Sequence, residues 1–107
     1  MIQSGEFWVA EIPFTDWSDA KRRPVLILWI DGEDAVVAAV TSATPRTATD
    51  VSLDEWRRSG LRVASTVHLA RLDCLEQSLL LRRLGCVQPA DAQLLKDMWA
   101  QYVYPQF

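Results

Sequence analysis

Three consecutive bases, Lys21-Arg22-Arg23, stand directly before the apolar run that begins at Pro24. Six arginines fall within residues 57–83, against only Asp73 and Glu76. A guanidinium keeps its charge at every relevant pH and offers a fork of donors that matches phosphoryl oxygens. His68 is the single histidine. Imidazole is the one side chain whose ordinary pKa, about 6.5, lets it trade a proton near neutrality. Phosphate recognition and proton transfer are therefore the chemistries these residue types offer. A metal centre is not expected. Cys74 and Cys86 are the only cysteines, and His68 has no zinc-ligand spacing to them. They read as reduced, mostly buried thiols of a cytosolic chain.

The charge comes in blocks. Residues 1–20 carry four acids and no base, and residues 31–56 carry six acids against Arg46 alone. The net charge is −3, which does not advertise a nucleic-acid binder. Segregation of this kind still lets a fold gather its bases into one groove while the mean stays negative. The alternative is that the arginines simply line a solvated face. The 107 residues, half of them apolar and 23% charged, fit one globular domain rather than a disordered chain. The longest apolar runs, Pro24–Ile30 and Ala35–Val40, have seven and six residues; a bilayer span needs about 20. Met-Ile-Gln-Ser-Gly-Glu has neither a basic n-region nor an apolar h-region, so no secretory signal is read and the expected address is the cytoplasm.

The elements that must position these residues are mostly strands. Glu6–Phe14 is rich in aromatic and branched residues and reads as a strand, with Pro13 marking its edge or exit. Thr15–Arg23 reads as a polar loop. Pro24–Ile30 is apolar throughout and is expected to be covered on both faces. Asp31-Gly32-Glu33-Asp34 is a turn, and Ala35–Thr41 returns as the hairpin partner. Thr41–Thr49 is a loop by its Ser, Thr and Pro content, and Thr49–Leu53 a short strand. Ser52 and Glu55 have capping-box spacing and Gly60 stands at a stop position, so Asp54–Ser59 is expected to be a helical turn. Ser65–Leu72 alternates, with Val67 and Leu69 on one face and Thr66, His68 and Ala70 on the other. Ser78–Val87 fits strand or helix by propensity, and Gly85 favours a strand with a bulge. A helix follows, with Pro89 in its first turn, Asp91 near its positive end, and a stripe of Leu94, Leu95, Met98, Trp99 and Tyr102 that reads as packing. Trp8, Trp29 and Trp56 read as packing residues as well. Five or six short strands and a terminal helix suggest a small, strongly bent antiparallel barrel, mainly β.

Several segments, taken in order, resemble the PemK/MazF-type toxins. They are Gly5-Glu6-Phe7-Trp8-Val9, Pro13-Phe14-Thr15-Asp16 and Lys21-Arg22-Arg23-Pro24-Val25-Leu26. They continue with Val40-Thr41-Ser42, then Asp50-Val51-Ser52-Leu53 with Trp56, Gly60-Leu61 and Ser65, then Leu79–Gly85 and the helix over 89–103. No one motif is specific; their order and spacing are. The resemblance implies an SH3-like barrel that forms a homodimer. It implies a metal-independent endoribonuclease acting on single-stranded RNA, with no cofactor. It also implies a cognate antitoxin with a DNA-binding N-terminus, whose disordered tail lies across the RNA groove.

In metal-free cleavage the substrate's 2′-hydroxyl attacks the adjacent phosphorus. One group must take the 2′ proton, the departing oxygen must gain one, and the added charge on the phosphoryl oxygens must be stabilised. Arg23 is similar in position to the family's catalytic arginine and suits charge stabilisation. Thr41 is similar to its catalytic threonine, with a hydroxyl able to donate to a phosphoryl oxygen or orient the 2′-hydroxyl. Position 68 departs from the pattern: some relatives have an arginine there and an aspartate two residues on, where this chain has His68 and Ala70. His68 is the candidate for proton transfer. Lys21, Arg22, Ser42 and Arg71 are candidate substrate contacts. Trp17 could stack a base or pack against a partner subunit. Two other functions remain open. One is a gyrase-binding toxin of the CcdB type that uses the aromatic C-terminus (Trp99, Tyr102, Tyr104, Phe107). The other is a weak relative that binds RNA or antitoxin without cutting, as Ala70 suggests.

Overall fold

The apolar run at Pro24 forms the spine of a single six-stranded antiparallel sheet. The computed structural model describes residues 1–12 and 21–107. The strands are β1 (Glu6–Ile12), β2 (Lys21–Asp31), β3 (Asp34–Thr41), β4 (Asp50–Ser52), β5 (Thr66–Glu76) and β6 (Leu80–Cys86). A 3₁₀ turn, Gln77–Leu79, precedes β6, and one helix, α1 (Pro89–Tyr102), ends the chain's regular structure. The strand order is β4-β5-β3-β2-β1-β6. The sheet bends but stays open among the described residues, with β4 and β6 as its edges, where the sequence suggests a barrel. The reading of a mainly β chain with a C-terminal helix holds.

Alternation explains why the middle of β2 is apolar on both sides. Leu26 faces a cluster with Phe7, Val40, Val51, Val67 and Leu69, which the α1 residues Leu95, Met98 and Trp99 cover. Val25 and Ile27 face the other way, into a cluster with Ala10, Val37, Leu75 and Leu80. Two small cores thus share one sheet. Bulges bend it: the register shifts between Ile27 and Trp29, between Ala38 and Ala39, and twice along β1. The shift at Leu28 turns Trp29 outward. It is 44% exposed and packs edge to face on Trp99 at 5.9 Å, so the packing reading holds while the expected cover on both faces does not extend to this residue.

Gly32 makes the β2–β3 turn at φ 64°, as the Asp-Gly signal requires. Gly60 and Gly85 are needed for space. A Cβ on Gly60 would sit 2.0 Å from the Leu84 carbonyl oxygen, and one on Gly85 2.2 Å from that of Ser59. The β6 bulge presses directly on the 54–61 segment.

Three other expectations change. β2 begins at Lys21, so Lys21–Arg23 extend the strand and pair with Ile12, Glu11 and Ala10 instead of closing a loop. Residues 54–60 form successive hydrogen-bonded turns, and the Glu55 carbonyl accepts the Ser59 N–H at 3.0 Å, as the expected helical turn requires. No Ser52 cap holds them. Asp91, reaching back from α1 and 1% exposed, accepts the N–H groups of Asp54 (3.1 Å) and Glu55 (2.9 Å). Cys74 and Cys86 are exposed free thiols, not buried ones. No helix of the described residues is long and apolar enough to cross a membrane.

Candidate active site

The site forms where β2 starts, β3 ends and β5 begins to bulge. Ala39 pairs with Val25 on one side and with His68 on the other. That β2–β3 register, carried two residues on, sets Arg23 across from Thr41. Directly opposed side chains of an antiparallel pair stand about 5 Å apart at Cβ. Between Leu72↔Ala38 and His68↔Ala39 the β5 strand carries extra residues, and this bulge returns Arg71 to the same place. The result is a depression of about 210 Å³ lined by Arg23, Thr41, His68, Arg71, Arg46 and Asp50, with Ala39, Val40, Ala43 and Thr44 completing the wall. Ala39 has little side chain, and a larger residue there would fill the floor.

Each polar group has a defined state. Thr41 Oγ1 accepts the Ala43 N–H at 3.2 Å, a local turn bond that leaves its own proton free to donate. His68 Nδ1 is hydrogen-bonded to Asp50 Oδ1. The other Asp50 oxygen accepts the Arg46 N–H at 3.0 Å. The Asp50 side chain is 6% exposed and that of His68 29%. Burial by itself would raise the Asp50 carboxyl; the Arg46 N–H and the His68 ring outweigh burial and hold it below its ordinary value.

The arginines sort into two populations. Arg83 pairs with Glu6 and Arg58 with Glu55, while Arg57 lies over the Trp56 ring. Among the described residues no carboxylate comes within ion-pair distance of Arg22, Arg23, Arg46, Arg62, Arg71 or Arg82. Those six line two adjoining depressions. Arg23 belongs to both, and Arg22, Arg62 and Arg82 rim the second, of about 250 Å³, above an apolar floor that includes Pro24 and Leu61. Of the two readings of the charge blocks, the gathered groove describes these six.

The structure therefore brings Arg23, Thr41, His68 and Arg71 together and puts Arg22 next door. Ser42 begins the exposed loop after β3, outside the wall of either depression, and Lys21 stands at the outer end of β2, also outside both. Trp17 lies outside the described residues. Asp50 is the residue sequence reasoning missed. Its only signal is the antiparallel pairing of the three-residue β4 with the start of β5, Asp50↔His68, Val51↔Val67 and Ser52↔Thr66. No three His, Cys, Asp or Glu side chains gather into a metal-binding group among the described residues.

Residues 3–102 match the family model described as PemK-like, MazF-like toxin of type II toxin-antitoxin system. The chain belongs to this toxin family. No curated protein matches it in sequence. Among solved structures it is similar to the Mycobacterium tuberculosis toxin MazF-mt6, at 23% identity and TM-score 0.73, over 90% of this chain and 93% of that one. It is also similar to a mycobacterial endoribonuclease in complex with its cognate antitoxin, at 17% identity and TM-score 0.77, over 98% and 100%. A third is MazF from Deinococcus radiodurans, at 18% identity and TM-score 0.70, over 94% of each chain. At these identities the likeness is one of fold. It bears out the PemK/MazF-like architecture, and family membership bears out the toxin assignment.

Proposed function

We propose that this PemK/MazF-family toxin is a cytoplasmic endoribonuclease that cleaves single-stranded RNA without a metal, through its substrate's own 2′-hydroxyl. The observation that carries the reading is the meeting of unpaired Arg23, the Thr41 hydroxyl and the half-buried His68 ring around one depression. Arg23 and Arg71 neutralise the charge that builds on the phosphoryl oxygens, and the Thr41 proton adds a directed donor. His68 takes the 2′ proton. The 2′-oxygen–phosphorus bond forms, the bond from phosphorus to the 5′-oxygen breaks, and that oxygen takes a proton from water at the open mouth. The products are a 2′,3′-cyclic phosphate and a 5′-hydroxyl. Arg22, Arg62 and Arg82 hold the flanking backbone, and the apolar floor between them suits a base.

The toxin is read as a homodimer whose activity a cognate antitoxin blocks and whose operator the pair binds together. Exposed Trp29, Tyr104 and Phe107 offer apolar surface for such contacts. The test is incubation of the purified chain with labelled single-stranded RNAs in EDTA, beside Arg23→Ala. Discrete products from the parent and none from the variant are expected. Intact RNA across many sequences, or equal cleavage by both proteins, overturns the reading; binding without cleavage would indicate the non-catalytic relative.

A further inference from the structure

We propose that Asp50 is a positioning residue that fixes the His68 ring as a proton acceptor, an inference that rests on the ribonuclease reading above. β4 is a three-residue edge strand that, among the described residues, pairs only with β5, and its first pair is Asp50↔His68. The carboxylate is almost fully buried while the ring it holds reaches the depression. Both Asp50 oxygens are engaged, one by the Arg46 N–H and one by His68 Nδ1. An ionised carboxylate can only accept. The neutral ring must therefore carry its proton on Nδ1, and the lone pair falls to Nε2. A ring so held is a base ready to take a proton from a ribose hydroxyl, and the buried negative charge stabilises the imidazolium that results.

Among the described residues, the charged groups that line the depression with His68 are Arg23 from β2, Arg46 from the loop, Arg71 from the β5 bulge and Asp50 from β4. Three of these are cations and one is an anion. Asp50 is thus what keeps the base effective among arginines that the phosphate requires. It also ties the 42–49 loop to the ring through Arg46, so one carboxylate sets the geometry of both. This gives His68 a carboxylate partner from a neighbouring strand in a chain that has alanine at position 70.

The experiment compares parent, Asp50→Asn, His68→Ala and the double variant for cleavage against pH, with thermal unfolding to confirm that each is folded. Asp50→Asn is expected to lower kcat 10- to 100-fold with KM changed less than threefold, and to move the basic-group limb of the pH profile to lower pH. In the His68→Ala background the same change is expected to do nothing further. The single histidine makes the nitrogen-15 spectrum unambiguous: the parent is expected to show the Nδ1–H tautomer and Asp50→Asn a mixture with Nε2–H. A parent that cleaves in an Arg23-dependent way, together with an Asp50→Asn variant that keeps its rate, overturns the Asp50 proposal alone. So does an equal loss from Asp50→Asn with and without His68, or an Nε2–H tautomer in the parent. A parent that cuts no RNA overturns both readings.

Discussion

Two buried carboxylates hold cationic or proton-accepting partners at opposite ends of this sheet, and they do different work. Glu6, near the start of β1, accepts Arg83 Nε at 2.6 Å, the Trp8 indole N–H at 3.1 Å and the Gln3 N–H at 2.7 Å. Its pKa is lowered: burial raises it, and Arg83, Gln3 and Trp8 together prevail. Asp50 has the same balance of burial against donors. The difference lies in the partner. Arg83 is permanently charged and closes a seam between β1 and the edge strand β6. His68 carries no permanent charge, and it opens onto a depression lined by Arg23, Arg46 and Arg71, none of which has a carboxylate partner among the described residues. One pair fastens β1 to β6; the other fastens β4 to β5 and opens onto the depression. The same division runs through the arginines, since those with a carboxylate or ring partner lie away from the depressions that the six unpaired ones line.

This contrast can be broken by exchanging the expected phenotypes. Arg23→Ala should lower the cleavage rate by at least about 10²–10³-fold, the usual effect of losing one charge-stabilising donor, with an unchanged melting temperature because the side chain is exposed. Arg83→Ala should lower the melting temperature and keep the rate. Rate assays beside thermal melts decide between this pattern and its reverse. Next in size is the seam itself. Gly85→Ala should cost about 3 kcal/mol in urea unfolding, because its Cβ would overlap the Ser59 carbonyl and neither backbone can yield freely. Glu6→Ala leaves three donors without their acceptor and should cost about 1–3 kcal/mol in the same assay, without altering cleavage of folded protein.

The smallest effect is the response to acid. Glu6 and Asp50 are both more acidic in the folded state than their ordinary values of 4.5 and 3.8. The unfolded chain therefore takes up protons first as pH falls. The stability each carboxylate contributes is complete above its ordinary value and is lost as pH drops through the lowered one. Unfolding midpoints measured from pH 6 to pH 3 should fall less steeply in Glu6→Gln and in Asp50→Asn than in the parent. Only the second variant should also lose activity at pH 7.

Much of this was legible in the residues. The apolar run at Pro24 announced a strand, covered on both faces over Val25–Ile27 but not at exposed Trp29 and Ile30, Asp-Gly announced the hairpin, and Pro89 announced the helix. Arg23 and Thr41 could be paired as candidates because the family order supplied them. What stayed hidden depends on register. A bulge reverses side-chain parity without any mark in composition, so neither the exposure of Trp29 nor the placing of Arg71 at the depression follows from alternation. Asp50 and His68 are eighteen positions apart and meet only through a three-residue strand. Asp91 looked like a charge for its own helix dipole, yet it caps a turn that only tertiary packing brings near. Cys74 and Cys86 are exposed because positions on the outer face of β5 and on the edge strand β6 override the general preference of thiols for burial.

The most direct measurement places a single 2′-O-methyl group on the nucleotide 5′ to the cut in an RNA that this toxin cleaves. If the ribose supplies the nucleophile, that linkage survives in EDTA while an unmodified control is cut to a cyclic phosphate and a 5′-hydroxyl. Continued cutting at the methylated position, or products ending in 5′-phosphate, would contradict the account at its centre.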